Sequence, residues 1–193
     1  MTTLYLARHG ESDWNVERRW QGNADRPLTD LGRRQAGQLA ERLASTPLDA
    51  VYSSDLLRAR ETAAAVARRQ GLEVRTLAAL REVDVGSWSG LTREEVEERF
   101  PAAFATWREG GHGWVDGEAY EDMAGRVVTA VLEIAGSHPG GSVLVVAHGG
   151  PIRALHAVAL GLDISEHRRL KPVAVNAHLS RLQVEDGRLT VER

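Results

Sequence analysis

Cysteine is absent from this chain of 193 residues, which excludes disulfides, thiolate zinc sites and a cysteine nucleophile. The absence is compatible with a reducing cytosol. Long apolar runs are missing as well, because the most apolar stretch, residues 143–147, is far too short to span a membrane. Residues 1–8 have neither the basic start nor the apolar length of a signal peptide. We therefore expect a cytoplasmic protein without a membrane partner.

An excess of positive charge is also missing. The formal net charge is -3, so the overall charge does not favour nucleic acid as a partner. A local positive site for a small anion remains compatible with this value, because net charge does not say where the charges lie. Hydrophobic residues make up 42% of the chain and charged residues 26%, as in ordinary globular proteins. This length and composition predict a single domain over residues 1–193.

Strand and helix patterns alternate along the chain. Alternating β-formers predict a first strand at residues 2–7, and an unbroken apolar run predicts a buried strand at 142–147. Shorter strands are expected at 49–53 and 73–77, and amphipathic helices at 30–45, 55–70, 118–135 and 151–160. Two closing strands, 177–184 and 188–192, are joined by Glu185-Asp186-Gly187, in which Asp-Gly is a strong hairpin signal. The pattern predicts an α/β fold, a three-layer sandwich in which a largely parallel sheet is flanked by helices.

The segment at about 83–117 departs from this alternation. It is rich in tryptophan, contains two adjacent glycines and has a short helical pattern at 92–99. We interpret it as an insertion that covers one edge of the sheet and the active site.

The first candidate site follows the first predicted strand. Arg8-His9-Gly10-Glu11 stands directly after that strand, where α/β sheets place their ligand sites. A surface loop that merely contains a histidine would show the same residues. Ser12 and Asn15, however, supply short polar groups able to bind an anion beside His9. Glycine at position 10 would let the backbone approach that anion closely.

The second candidate segment, residues 53–63, runs from a strand end into a helix. Free N–H groups and the helix dipole at such a place favour a phosphate. Arg58 lies within the first turn, and its planar guanidinium can donate two parallel hydrogen bonds to a phosphate. A solvated helix residue is an equally good explanation for Arg58 alone, and the better one for Arg60.

Two further segments carry polar side chains at strand or turn positions. His148 follows the buried strand and precedes two glycines, so it repeats the position of His9 at a strand end. A structural, hydrogen-bonded histidine is the alternative. Glu82 and Asp84 are both candidates for a carboxylate that protonates a leaving group, and composition does not decide between them.

Together these four segments resemble the histidine phosphatase superfamily, the phosphoglycerate-mutase-like proteins, from residue 4 to about residue 153. In motif they are similar to the small bacterial broad-specificity and α-ribazole phosphatases. The resemblance implies that His9 is the nucleophile, surrounded by Arg8, Arg58 and His148, and that Glu82 is the proton donor. It further implies substrate or phosphate contacts from Ser12, Asn15, Gln21, Gly22 and Gly149.

The expected function is therefore a phosphomonoesterase that hydrolyses a small phosphorylated metabolite through a phosphohistidine intermediate on His9. Two arginines and a second histidine would supply the fixed donors that phosphoryl transfer needs, so we expect neither a metal ion nor a cofactor. The resemblance is compatible with a homodimer. It leaves the natural substrate open, with Trp88, Trp107, His112 and Trp114 as candidates for specificity or for a small core of the insertion.

Three alternative functions agree less well with the sequence. A phosphoglycerate mutase would carry paired arginines in the insertion, and none stands near residues 113–116; we therefore expect the charges that bind a carboxylate to be missing. A non-catalytic phosphate-binding module would be expected to lose His9, Arg58 or Glu82, and all three are present. A metalloenzyme is not supported, because the remaining histidines show no paired ligand spacing on a helix.

Overall fold

A computed structural model describes residues 1–170 and 174–191. The strands are β1 (Thr2–Arg8), β2 (Ala50–Ser53), β3 (Val74–Thr76), β4 (Ser142–Ala147), β5 (Leu179–Glu185) and β6 (Arg188–Val191). The helices are α1 (Asp13–Val16), α2 (Asp30–Arg42), α3 (Leu57–Gln70), α4 (Arg93–Arg99), α5 (Pro101–Arg108), α6 (Tyr120–Ser137), α7 (Gly149–Leu160) and α8 (Ile164–Leu170). Short 3-10 helices span Ala78–Leu80 and Gly86–Trp88.

Within the described residues, six strands form one sheet in the order β3-β2-β4-β1-β5-β6. The pairings β3–β2, β2–β4 and β4–β1 are parallel, whereas β5 and β6 continue the sheet as antiparallel strands. One face packs on α2 and α3 and the other on α6 and α7. The structure therefore confirms the predicted three-layer α/β fold with a largely parallel sheet.

Strand β4 shows why its apolar run is unbroken. Val143 and Val145 face the helices on one side of the sheet, and Leu144 and Val146 face those on the other. All four side chains are at most 1% exposed. A central parallel strand is covered on both faces, so both sets of alternating residues must be apolar.

The long predicted elements are present, with ends that differ from the prediction by a few residues. The Asp-Gly turn is confirmed, since Glu185 pairs with Arg188 across Asp186 and Gly187, whose φ angles are 48° and 71°. The last predicted strand, 188–192, is seen up to Val191, and residue 192 lies outside the described residues.

Helices α1, α5 and α8 were not predicted. Helix α1 has four residues, too few for a periodic pattern, and depends on a capping box between Ser12 and Asn15. Helix α5 begins with Pro101, a residue suited to the first helical position, and buries Phe104. Among the helices of the described residues, none is long and apolar enough to cross a membrane.

Candidate active site

The two histidines of the predicted site meet at the carboxyl ends of neighbouring parallel strands. Arg8 at the end of β1 pairs with Ala147 at the end of β4, so His9 and His148 leave the sheet side by side. Their ring centroids are 5.1 Å apart. The exposed fractions are 2% for His9 and 0% for His148.

The protonation state of His9 follows from its contacts. Nδ1 lies 2.6 Å from the carbonyl oxygen of Gly10. A carbonyl oxygen only accepts, so Nδ1 carries the hydrogen and the neutral ring keeps its lone pair on Nε2. Burial, with the charges of Arg58 and Arg8, holds the pKa of His9 well below the usual 6.5. His9 is therefore neutral near pH 7, with Nε2 as its nucleophilic nitrogen.

Gly10 is required for a reason other than the predicted one. It does not line the cavity, and a Cβ atom at this position would lie 2.5 Å from the carbonyl oxygen of Gly32 in the first turn of α2. Its N–H donates to Oγ1 of Thr62 at 3.0 Å. The glycine thus lets the loop after β1 pack against α2, and Thr62 holds the N–H of the same residue whose carbonyl oxygen orients the ring of His9.

Two buried arginines surround the histidines. In Arg58, Nη1 donates to the carbonyl of Ala24 at 2.6 Å and Nη2 to that of Gly22 at 2.8 Å. Burial lowers the pKa of Arg58 to about 10, which leaves it charged at neutral pH. Nη1 of Arg8 donates to the carbonyl of Ala174 at 2.5 Å. The guanidinium groups are therefore held in place by neutral carbonyls and retain their positive charge.

Several buried nitrogen atoms at this point have no hydrogen-bond partner among the described residues. They are Nε of Arg8, Nε of Arg58, and Nδ1 and Nε2 of His148. Burial and the nearby arginines lower the pKa of His148 well below 6.5, so its ring is neutral and has one N–H to donate. Buried donors left without partners beside positive charge indicate a site for a small anion.

Two of the backbone N–H groups at the start of α3 already have partners within the protein. The N–H of Leu57 donates to Oδ1 of Asp25 at 2.6 Å, and that of Leu56 donates to Oγ of Ser54 at 3.3 Å. These N–H groups are already engaged. The contribution of α3 to the anion site is the guanidinium of Arg58.

The structure separates the two candidate acids. Glu82 lines the cavity that contains His9, and its Oε1 accepts from the N–H groups of Val83 at 2.9 Å and Gly150 at 3.1 Å. Asp84 does not line this cavity, and its Oδ1 accepts from the N–H of Gly86 at 3.0 Å. Of these two acids, Glu82 is the one that lines the same cavity as His9.

Arg126 holds the segment that carries Glu82. Its guanidinium donates to the carbonyl oxygens of Ala79, Arg81 and Glu82 at 2.9, 2.9 and 3.0 Å. A two-bond ion pair with Glu118, at 2.6 and 2.7 Å, fixes the guanidinium itself. The backbone around Glu82 is therefore positioned from α6.

Asn15 and Gln21 line the cavity, whereas Ser12 lies behind them and is fully buried. The hydroxyl of Ser12 lies 3.0 Å from Oδ1 of Asn15 and 2.8 Å from Oε1 of Gln21. The single hydroxyl hydrogen of Ser12 suits Oε1 of Gln21, whereas Oδ1 of Asn15 accepts from the N–H of Ser12 at 3.1 Å and from Nδ2 of Asn176 at 3.1 Å. The NH2 groups of Asn15 and Gln21 are therefore the ends left to donate towards a ligand. Ser12 thus supports the side chains of Asn15 and Gln21 and does not line the cavity, although the sequence predicted that it would contact the substrate or phosphate.

Gly22 lines the cavity, with a φ of +47° that favours glycine. A Cβ atom there would also lie 2.8 Å from a methyl group of Val85. Gly149, which the sequence predicted as a contact, does not line the cavity; the next residue, Gly150, does. The reason is that His148 caps α7, so the second helical N–H is the one that points to Glu82.

The cavity above these residues has a volume of about 1090 Å³. From the segment 83–117 it is lined by Val83, Val85, Arg93, Glu94, Trp107 and Arg108. Trp88 and Trp114 are buried in the core instead, with ring centroids 5.4 Å apart, and His112 is exposed. Of the four residues considered for specificity, only Trp107 reaches the cavity.

The sequence prediction missed several cavity residues, among them Trp20, Tyr120, Arg153 and Arg168. The cavity contains two arginines that the sequence analysis did not place there, Arg153 from α7 and Arg168 from α8. Helical spacing could have revealed Arg153, which lies one turn after Gly149 on the helix that follows His148. No pattern pointed to Arg168, since α8 itself was not predicted.

Within residues 1–170 and 174–191, no group of three or more His, Asp or Glu side chains is arranged to hold a metal ion.

The chain is similar in sequence and structure to known phosphatases. The sequence model of the "Histidine phosphatase superfamily (branch 1)" matches residues 4–193. Phosphoserine phosphatase 1 of Hydrogenobacter thermophilus is 39% identical over 168 residues, which cover 86% of this chain and 80% of that protein. Glucosyl-3-phosphoglycerate phosphatase of Mycobacterium tuberculosis is 41% identical over 174 residues, covering 84% and 77%. The solved structure of Bacillus stearothermophilus YhfR has a TM-score of 0.92 at 36% identity, covering 99% of this chain and 95% of that one.

Proposed function

The chain belongs to the histidine phosphatase superfamily, branch 1, and is a phosphatase; from this premise we propose that it hydrolyses small phosphate monoesters through a phosphohistidine on Nε2 of His9. The bond from Nδ1 of His9 to the carbonyl of Gly10 carries the proposal. It leaves a neutral ring with a free nucleophilic nitrogen beside two arginines. The relatives named above act on phosphoserine and on glucosyl-3-phosphoglycerate, both small phosphorylated molecules.

The unpaired donors of the site suit the transition state of phosphoryl transfer. Negative charge then spreads over the equatorial oxygens of the transferred group, so fixed positive donors lower the barrier. Nε of Arg8 and Nε of Arg58 are such donors, and the neutral ring of His148 adds an uncharged N–H. The amide groups of Asn15 and Gln21 complete the contacts at the rim.

The reaction proceeds in two steps. Nε2 of His9 attacks phosphorus, the bond between phosphorus and the ester oxygen breaks, and the carboxylic acid of Glu82 protonates the departing oxygen. Water then attacks the phosphohistidine, and the carboxylate of Glu82 takes a proton from that water. Inorganic phosphate leaves, and His9 and Glu82 return to their starting states.

Trapping the intermediate tests the proposal. Wild-type protein mixed with a 32P-labelled phosphate ester and quenched in denaturant without acid should retain label in a form that acid releases and base does not, as phosphoramidates behave. The variant His9→Ala should retain no label and release no inorganic phosphate. His178→Ala is the matched control, because this exposed side chain lies outside the cavity.

Turnover by His9→Ala at close to the wild-type rate would overturn the proposal. Label that is stable to acid would also do so, because it would indicate an ester on another side chain.

A further inference from the structure

The cavity holds more positive charge than one phosphate needs. Beyond the two arginines at the histidines, it is lined by Arg18, Arg19, Arg93, Arg108, Arg153 and Arg168, against the acids Glu82 and Glu94. Arg19 is paired with Glu17 and Glu95. Arg153 and Arg168, by contrast, form no ion pair in the described part of the chain; Arg168 is buried and Arg153 is partly buried. Buried charges of this kind are costly unless an anion accompanies them.

Arg153 lies on the side of the site where the leaving group departs. It is one helical turn after the start of α7, and the first turn of that helix donates the N–H of Gly150 to Glu82. The proposed function places the leaving oxygen at Glu82. Glu82, Gly150 and Arg153 line the same cavity, so the remainder of the alcohol has room to extend from Glu82 past Gly150 towards Arg153.

Arg168 and Tyr120 line the same cavity as Arg153. The guanidinium carbon of Arg168 is 4.3 Å from the ring centroid of Tyr120. Its Nη2 donates to the carbonyls of Trp107 and Gly111 at 3.1 and 3.0 Å, whereas its Nε has no partner among the described residues. The side chain is 9% exposed. The guanidinium is thus fixed by neutral groups that leave its charge uncompensated.

Tyr120 adds a neutral donor. Its hydroxyl oxygen accepts from Nε1 of Trp107 at 3.2 Å, which leaves its own hydrogen available. Burial raises the pKa of Tyr120, so the hydroxyl stays protonated at neutral pH. Burial lowers the pKa of Arg153 by more than the nearby Tyr120 and Glu82 raise it, and the charge of Arg168 lowers it further.

We propose that Tyr120, Arg153 and Arg168 bind a carboxylate on the alcohol part of the substrate, so that the preferred substrates are phosphate monoesters of small hydroxy acids. The planar guanidinium matches the two oxygens of a carboxylate, and the tyrosine hydroxyl donates a third bond. This inference rests on the proposed function, because it assumes that the alcohol leaves past Glu82.

A matched pair of esters tests it. 3-Phosphoglycerate carries a carboxylate where glycerol 3-phosphate carries a neutral hydroxymethyl group. We expect wild-type protein to hydrolyse 3-phosphoglycerate with a kcat/KM about ten- to a hundredfold higher, the usual range for one charge-assisted hydrogen bond. Arg153→Met should remove most of this preference by lowering kcat/KM for 3-phosphoglycerate alone.

Two further variants separate loss of the carboxylate contact from general damage to the protein. Tyr120→Phe keeps the ring beneath Arg168 and removes only the hydroxyl, so it should reduce the preference without loss of fold. Arg68→Met makes the same substitution as Arg153→Met on the exposed surface of α3, away from the cavity, and should leave both rates unchanged.

Equal kcat/KM of wild-type protein for the two esters would overturn the inference. So would equal losses on both esters in Arg153→Met and Tyr120→Phe, because that result would indicate general damage. Turnover of p-nitrophenyl phosphate by the same wild-type preparation tests the phosphatase function separately.

Discussion

Glu82→Gln is the substitution that isolates proton donation. Oε1 of Glu82 accepts from the N–H groups of Val83 and Gly150, and an amide oxygen can accept the same two bonds. The backbone of residue 82 is held independently, through the bond from Arg126 to its carbonyl oxygen. The variant side chain should therefore keep its place in the cavity and lose only the acidic proton.

The expected size of the effect depends on the leaving group. General acid catalysis contributes about a hundred- to ten-thousandfold in rate, or about 3 to 5 kcal/mol of barrier. An alkoxide needs the proton in full, whereas p-nitrophenolate is already a stable leaving group. We expect a loss in kcat/KM of that order for an alkyl phosphate and a much smaller loss for p-nitrophenyl phosphate.

The assay compares kcat/KM on both esters for Glu82→Gln and Asp84→Asn. Asp84 is a matched control, since it lies two residues away and its Oδ1 accepts from the N–H of Gly86, outside the cavity. Asp84→Asn should therefore affect the two esters alike and weakly. His9→Ala should reduce both strongly, because attack on phosphorus precedes any question of the leaving group.

A leaving-group-dependent loss in Asp84→Asn, with none in Glu82→Gln, would show that Asp84 is the acid. Equal losses on both esters in Glu82→Gln would contradict proton donation to the leaving group. Burst kinetics on the aryl ester would then show whether hydrolysis of the phosphohistidine limits the rate, as expected if Glu82 activates only the water.

Two other predictions concern metal ions and pH. Treatment with EDTA should leave kcat/KM within about twofold of the untreated value, because Arg8 and Arg58 supply the positive charge of phosphoryl transfer; complete loss restored by Mg²⁺ or Zn²⁺ would refute this. The free energy of unfolding should be steady above about pH 7.5 and fall as the pH drops through 6.5. The reason is that the unfolded chain binds protons at positions 9 and 148 while the folded state, with the lowered pKa values of His9 and His148, does not. Each histidine contributes to the free energy of unfolding a slope of at most about 1.4 kcal/mol per pH unit. Urea unfolding of His148→Gln between pH 5.5 and 8 should therefore show a shallower dependence of this free energy on pH than wild-type protein. A slope equal to that of wild-type protein would contradict the buried, neutral state of His148.

The fold and the order of the site segments could be predicted because both are local properties of the chain. The buried strand β4 requires apolar residues on both faces, and the helices show their apolar stripes directly. His9 and His148 each stand just after a predicted strand end, and Arg58 lies in the first turn of the helix that follows a third predicted strand. Parallel strands bring those ends to one edge of the sheet, so chain order alone indicated that these residues meet.

Contacts between residues far apart in sequence decided the remaining features. Glu82 and Asp84 lie in an irregular segment without periodicity, and only the bonds from Arg126 and Gly150 determine which carboxyl group enters the cavity. The need for glycine at position 10 comes from Gly32 on α2.

The sequence by itself determined the α/β architecture, the family and the set of residues at the strand ends, because these depend on periodicity and motif order along the chain. The tertiary structure alone decided that Nε2 of His9 is the free nitrogen, through one bond to the carbonyl of Gly10. It also brought Arg153 and Arg168 together with Tyr120, from three helices whose approach no local pattern encodes. The proposed substrate preference depends on that convergence, since the direction and partners of a side chain are set by packing across the whole domain.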